Sequence, residues 1–206
     1  FIKHPLLTYM ETSSSSTSEL VTELIQYYQD EVELTSLEAT ALYAGIVVDT
    51  KNFAVQTGVR TFDAAAYLRR CGADPEIVRS IFSSDFATVR LKSSLLAKAT
   101  IEDGVAMLDC GDLKENATML AAQLADILIN LNNVRASFTF YELAEKTVGI
   151  SARSKGEVNV QRVMEVLGGG GHSNVAGAQL KGLTIEEAQE VVRKALEEIP
   201  EEKESE

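Results

Sequence analysis

Gly168-Gly169-Gly170-Gly171-His172-Ser173-Asn174 is the stretch on which the reading of this chain turns. Four consecutive glycines leave backbone N–H groups open to close approach, because no Cβ shields them and φ can take either sign. His172 sets a titratable ring at the edge of that run. A glycine run can equally be a flexible linker, and its flanks decide between the two. Before it, Val160, Val163, Met164 and Leu167 recur at helical spacing; after it, Ala176 to Leu180 reads as a strand. Too little chain follows to form a second independent unit, so the run reads as a phosphate cradle set between a helix and a strand.

Working outward, the same alternation continues on both sides. Downstream, Thr184 and Glu187 form a capping box for a helix from Ile185 to Ile199. Upstream, strands are expected at Val105–Leu108, Ala136–Tyr141 and Thr147–Ser151, with helices at Asn116–Leu131 and Val158–Leu167 and a turn at Asn132-Asn133. Strands and helices alternating at this spacing predict a small α/β domain over 101–200. A helical connection, Asp85 to Ala99, fills 84–100 and links it to a first unit over 1–83.

In that first unit, Pro5 to Met10 reads as a short strand. Ser16, Thr17 or Ser18 caps a helix carrying Leu20, Val21, Leu24 and Ile25, with Glu19 in its first turn. Ser36 opens a second helix that runs into Val47-Val48-Asp49-Thr50, and a third covers Phe62 to Arg70 and stops at Gly72. Asp74-Pro75-Glu76 starts a fourth. The serine run Ser13–Ser18 reads first as capping and solvated loop, and second as a helix start near a phosphate.

Two positions carry possible chemistry outside the glycine run. Arg153, in Ser151-Ala152-Arg153-Ser154, closes a strand one helix before the run, and alternation sends Ser151 and Arg153 to one face, Ala152 and Ser154 to the other. Such an Arg suits bidentate capture of a phosphate; the plain alternative is a surface Arg paired with Glu157. Asp49 follows the apolar Gly45-Ile46-Val47-Val48, and a carboxylate buried there needs a cation or several donors. Read alone, Asp49 is a turn or cap residue.

Composition narrows the function classes. Of 206 residues 45% are hydrophobic, which supplies real cores, and 31 acids against 19 bases give a net charge of −12. Without Glu197–Glu206, which holds six Glu and one Lys, 25 acids face 18 bases, or −7. An acidic body disfavours sequence-independent binding of long nucleic acid, whereas a small anion needs only one local positive pocket. Cys71 and Cys110 match no metal or redox spacing and read as core residues in a reducing compartment. No apolar run approaches the roughly 18 residues of a membrane span. The chain opens on Phe1 rather than Met, and the expectation is a piece of a longer protein.

Ile150-Ser151-Ala152-Arg153-Ser154, Asn159-Val160, the glycine run with His172, and Ala176-Gly177-Ala178-Gln179 together resemble the C-terminal substrate-binding domain of the DHH phosphoesterase superfamily. That superfamily includes RecJ-type exonucleases and small-oligonucleotide phosphodiesterases. The wording is most similar to the GdpP-type cyclic-di-AMP phosphodiesterases of Gram-positive bacteria. Ser15-Ser16-Thr17-Ser18-Glu19-Leu20-Val21 and Ala44-Gly45-Ile46-Val47-Val48-Asp49-Thr50 resemble the last two motif regions of the catalytic DHH domain.

The resemblance implies the C-terminal part of a parallel-sheet DHH domain over 1–83, a linker over 84–100, a DHH-associated substrate-binding domain over 101–200 and an acidic tail over 201–206. It makes Asp49 a ligand of a two-Mn²⁺ centre. It makes Ser151, Arg153, Ser154, Gly169, Gly170, Gly171, His172 and Asn174 the substrate-binding set, with His172 at the scissile phosphate. The earlier Asp motifs and the Asp-His-His triplet of the superfamily are absent from this sequence, and His4 lies outside the matching pattern. The implied parent hydrolyses cyclic-di-AMP to pApA and is membrane-anchored with this module in the cytoplasm, while this chain alone binds without turnover. Homodimerisation is allowed. The other readings are an oligonucleotide exonuclease and a non-catalytic nucleotide-binding module.

Overall fold

The computed structural model describes residues 6, 8–28, 32–144 and 146–199. His4, Pro5 and the tail 201–206 lie outside the described residues. Leu6 and Thr8–Met10, the described part of the expected first strand, form no strand. The chain divides into two compact units between Ser84 and Asp85.

The described elements of the first unit are all helical: α1 (Thr17–Tyr27), α2 (Ser36–Asp49), α3 (Val59–Arg70) and α4 (Pro75–Ile81). The starts of α1, α2 and α4 follow the sequence signals, whereas α3 begins at Val59, three residues ahead of the expected Phe62. Ser16 caps α1 by accepting from the Glu19 N–H at 3.1 Å, and Thr35 with Glu38 closes a capping box on α2. Asp74 caps α4 ahead of Pro75. Ala39, Ile46, Ala64, Leu68 and Ala73 form the small core. The parallel sheet implied for this part is not among its described elements.

The second unit holds α5 (Phe86–Leu96), β1 (Thr100–Glu102), β2 (Val105–Asp109), α6 (Ala117–Ile129), β3 (Ala136–Leu143), β4 (Thr147–Ser154), α7 (Val160–Val166), β5 (Gly170–His172), β6 (Val175–Lys181) and α8 (Ile185–Glu198). The six strands make one sheet in the order β1-β2-β3-β4-β6-β5. Only β2 and β3 run parallel, and α6 supplies the crossover that parallel neighbours require. Alternation on the inner strands splits the core between two faces. Ala106, Leu108 and Tyr141 pack with Leu120, Leu124 and Leu128 of α6. Met107, Phe138, Phe140, Ile150 and Ala152 pack with Val160, Val163 and Met164 of α7 and Ala188, Val192 and Ala195 of α8.

Two strands escaped the sequence reading, and α5 is more than a connection. β1 is a three-residue exposed edge, and β5 lies inside the glycine run, where composition argues against a strand. Leu95 and Leu96 of α5 pack into the core beneath α6, and the expected linker from Asp85 onward belongs to the second unit.

Candidate nucleotide shelf

The glycine run is not a loop of bare amides, and each glycine has its own reason. Gly168 sits at φ +76 just past α7. Its N–H donates to Glu165 O at 3.0 Å and the Gly169 N–H donates to Met164 O at 2.8 Å, the paired bonds of a Schellman cap. The expected cradle therefore loses two of its four donors to the end of α7. A Cβ on Gly169 would meet the Gly177 carbonyl oxygen at 2.2 Å, and one on Gly171, at φ +147, would meet Val175 O at 2.4 Å. At Gly170 a Cβ would find nothing within 4 Å. Close contacts explain Gly169 and Gly171, and the positive φ of the cap explains Gly168; Gly170 stands beside open space.

Register then decides what gathers around Gly170. Ser137 pairs with Arg153, Arg153 with Val175, and Val175 with His172, giving one row across β3, β4, β6 and β5. The next row is Thr139, Ser151, Gly177 and Gly170. Directly paired residues point to the same face of a sheet, and residues two apart share it. The face is fixed by Ser137 and Thr139, whose hydroxyls donate to Ala125 O and Ala121 O of α6, each at 2.9 Å. Ser151, Arg153, Gly177, Val175, Gly170 and His172 therefore share the α6 face.

Within this unit α6 packs on β3 and β4. Val175 is 46% exposed and His172 is exposed, so β6 and β5 continue beyond the helix as an open shelf. Its floor is Gly177 and Gly170, Arg153 bounds it beside α6, and His172 stands at the outer strand. Two concavities of the unit lie elsewhere, one lined by Arg135 and Arg193 and one by Lys146 and Glu186.

Arg153 does not pair with Glu157. Its Nε donates to Asp126 Oδ1 at 2.9 Å and its Nη1 to Ala152 O at 2.9 Å, and its side chain keeps 12% exposure. Asp126 was missed by sequence reasoning, although a signal existed: it is the single charged residue of α6, ATMLAAQLADILI, and a charge in an apolar helix asks for a partner.

Other expected residues stand differently. Ser154 falls on the opposite face, and its Oγ accepts from the Gly156 N–H at 3.0 Å. Asn174 occupies the β5–β6 turn, which is tied down where the Ser154 N–H donates to Asn174 O and the Val160 N–H donates to Ser173 O, each at 3.0 Å. Asp49 ends α2 in the first unit and is exposed, next to a 51% exposed Val48. That place at a helix end agrees with the turn-or-cap reading of Asp49, and Thr50, the C-cap, is the buried residue.

The donors for an Mn²⁺ pair are not assembled here: among the described residues no group of three or more His, Cys, Asp or Glu could hold a metal ion. Cys110 is buried, and burial followed by the neighbouring Asp109 pushes its thiol up to about 12. Cys71 packs against the core of the first unit.

Residues 105–199, which lie within the second unit, match the model of the DHHA1 domain. Over 95% of its length the chain is 49% identical to the cyclic-di-AMP phosphodiesterase GdpP of Geobacillus thermodenitrificans, and over 95% it is 46% identical to the cyclic-di-AMP phosphodiesterase PdeA of Listeria monocytogenes. The chain spans 30% of the length of each of these relatives. An exopolyphosphatase-related protein from Bacteroides fragilis has a similar structure, with a TM-score of 0.80 and 26% identity over 93% of this chain and 59% of that one.

Proposed function

We propose that this chain is the nucleotide-holding part of a manganese-dependent phosphodiesterase that converts cyclic-di-AMP to pApA. The observation that carries the reading is the row Arg153–Val175–His172 beside the glycine floor, in a chain 49% identical to a protein named a cyclic-di-AMP phosphodiesterase. Arg153 takes the phosphate: with Nε on Asp126 and Nη1 on Ala152 O, Nη2 makes no bond among the described residues. Two strand spacings, roughly 10 Å, separate the Arg153 and His172 backbones, a span suited to a small dinucleotide rather than a long strand. Gly170 and Gly177 let the ligand lie close to the backbone. His172 stands where it can donate to, or hold a proton for, the scissile phosphate.

Manganese would supply the activated water in the intact enzyme. The described residues do not fit that centre, so no step of it is assigned to this chain. The proposed setting is a cytoplasmic module of a membrane-anchored parent, and no helix among the described residues is long and apolar enough to cross a membrane.

The test is calorimetric titration of the chain with cyclic-di-AMP, pApA and a longer oligonucleotide, with and without Mn²⁺. Saturable binding of the two small nucleotides, largely independent of Mn²⁺, is expected. Preference for the longer oligonucleotide would move the assignment to an exonuclease.

A further inference from the structure

Helix α6 does more than cover the sheet. Its carbonyls at Ala121 and Ala125, one turn apart, accept from the Thr139 and Ser137 hydroxyls, and both hydroxyl-bearing residues are fully buried. These two bonds fix the helix on β3 in translation and rotation: Ser137 would be left unsatisfied without its bond, and Thr139 would keep only the longer one to Ser151 O at 3.4 Å. Asp126 follows Ala125 directly, so its carboxylate is delivered to a defined point above β4. There Oδ1 meets Arg153 Nε at 2.9 Å.

We propose that Asp126 is a positioning residue for Arg153: it holds the guanidinium by Nε and so turns the Nη2 side toward a phosphate on the shelf. The inference rests on the nucleotide reading of that shelf. Arg has one fork geometry, and a partner on Nε selects which edge remains for the ligand. Asp126 also places a negative charge near the anion site, which by itself opposes phosphate binding. Its contribution is therefore orientation, and the two effects separate by substitution.

Asp126→Asn removes the charge and keeps an oxygen at Oδ1 to accept from Nε. Asp126→Ala removes both. Cyclic-di-AMP binding by the whole chain is measured by calorimetry for both variants and for Arg153→Ala, with thermal unfolding alongside. The expected result is affinity for Asp126→Asn equal to or above that of the parent chain, and a loss of about tenfold for Asp126→Ala, the scale of one misplaced charged hydrogen bond. A merely structural ion pair would lower the unfolding temperature of both variants and change affinity in neither. Asp126→Ala binding as tightly as the parent, while Arg153→Ala has lost binding, overturns the positioning role and leaves the site intact. Unchanged binding by Arg153→Ala overturns the site and this inference together. Should Asp126→Ala fail to fold, Asp126→Glu carries the test: it keeps the charge but shifts the carboxylate by one methylene, and a several-fold loss is expected where unchanged affinity contradicts the proposal.

Discussion

Arg153 and His172 stand in one row of the sheet, separated only by Val175: Arg153 pairs with Val175 across β4 and β6, and Val175 pairs with His172 across β6 and β5. The two residues are 19 positions apart in sequence and reach the same face because the β5–β6 hairpin folds back onto β4. A change of one residue in that register would send His172 to the α7 side.

Arg153→Ala is expected to weaken cyclic-di-AMP binding by about 1.5–3 kcal/mol, the range for a hydrogen bond to a charged group. Calorimetry on the whole chain measures it. Equal affinity in the variant would remove Arg153 from the site.

Gly170 and Gly171 are adjacent and should respond in opposite ways. A Cβ at Gly171 meets Val175 O at 2.4 Å and φ is +147 there, so Gly171→Ala should cost about 1–3 kcal/mol in thermal or urea unfolding. At Gly170 the space is open. Gly170→Val should leave stability within about 0.5 kcal/mol, yet raise a wall on the shelf and lower nucleotide affinity. Stable variants with parental affinity at Gly170 would place the ligand elsewhere.

Glu19 in α1 is 2% exposed. Burial acts to raise its pKa, but hydrogen bonds from Ser15 and Thr61 outweigh it and hold the carboxyl below the usual range. A lowered folded pKa gives stability that is present above the unfolded value and is lost as pH falls through the folded one. Glu19→Gln should therefore destabilise the chain at neutral pH by about 1–3 kcal/mol, and the difference from the parent should shrink on acidification below the ordinary carboxylate range. A pH-independent difference would assign the effect to packing.

How much of this was legible in the sequence depended on whether the signal was local. Thr184 and the Asp74-Pro75 start were readable, and the cap of α1 was narrowed to Ser16, Thr17 or Ser18, because a cap is decided within four residues. The sharing of one face by Ser151 and Arg153 followed from alternation alone. The strand at Gly170–His172 was hidden, because glycine carries no side-chain pattern and pairing with β6 is a tertiary choice. Asp126 was hidden in another way: it lies 27 positions from Arg153, and only the βαβ crossover brings α6 over β4. The exposure of Asp49 depends on what packs on α2, which the apolar Ile46-Val47-Val48 could not specify.

The last expectation is that this chain by itself binds the nucleotide and does not hydrolyse it at an enzyme's rate. A two-metal phosphodiester displacement needs two cations about 3.5–4 Å apart, clamped by several carboxylate and imidazole ligands. The described residues assemble no such group, and Asp49, the one carboxylate that the sequence resemblance offers as a ligand, is exposed at the end of α2. A single exposed carboxylate competes poorly with water for a divalent ion, because most of its Coulomb energy is screened. The shelf, by contrast, is built wholly within the second unit, from β4, β5, β6 and α6, and needs no metal to hold Arg153 in place. Binding and chemistry should therefore come apart. Release of pApA from cyclic-di-AMP in Mn²⁺ buffer is compared between this chain and a longer chain that adds an Asp-His-His segment upstream, with binding of the nucleotide measured for both. Comparable affinity with turnover confined to the longer chain is expected; equal turnover by the two would show that the residues described here assemble a metal centre after all.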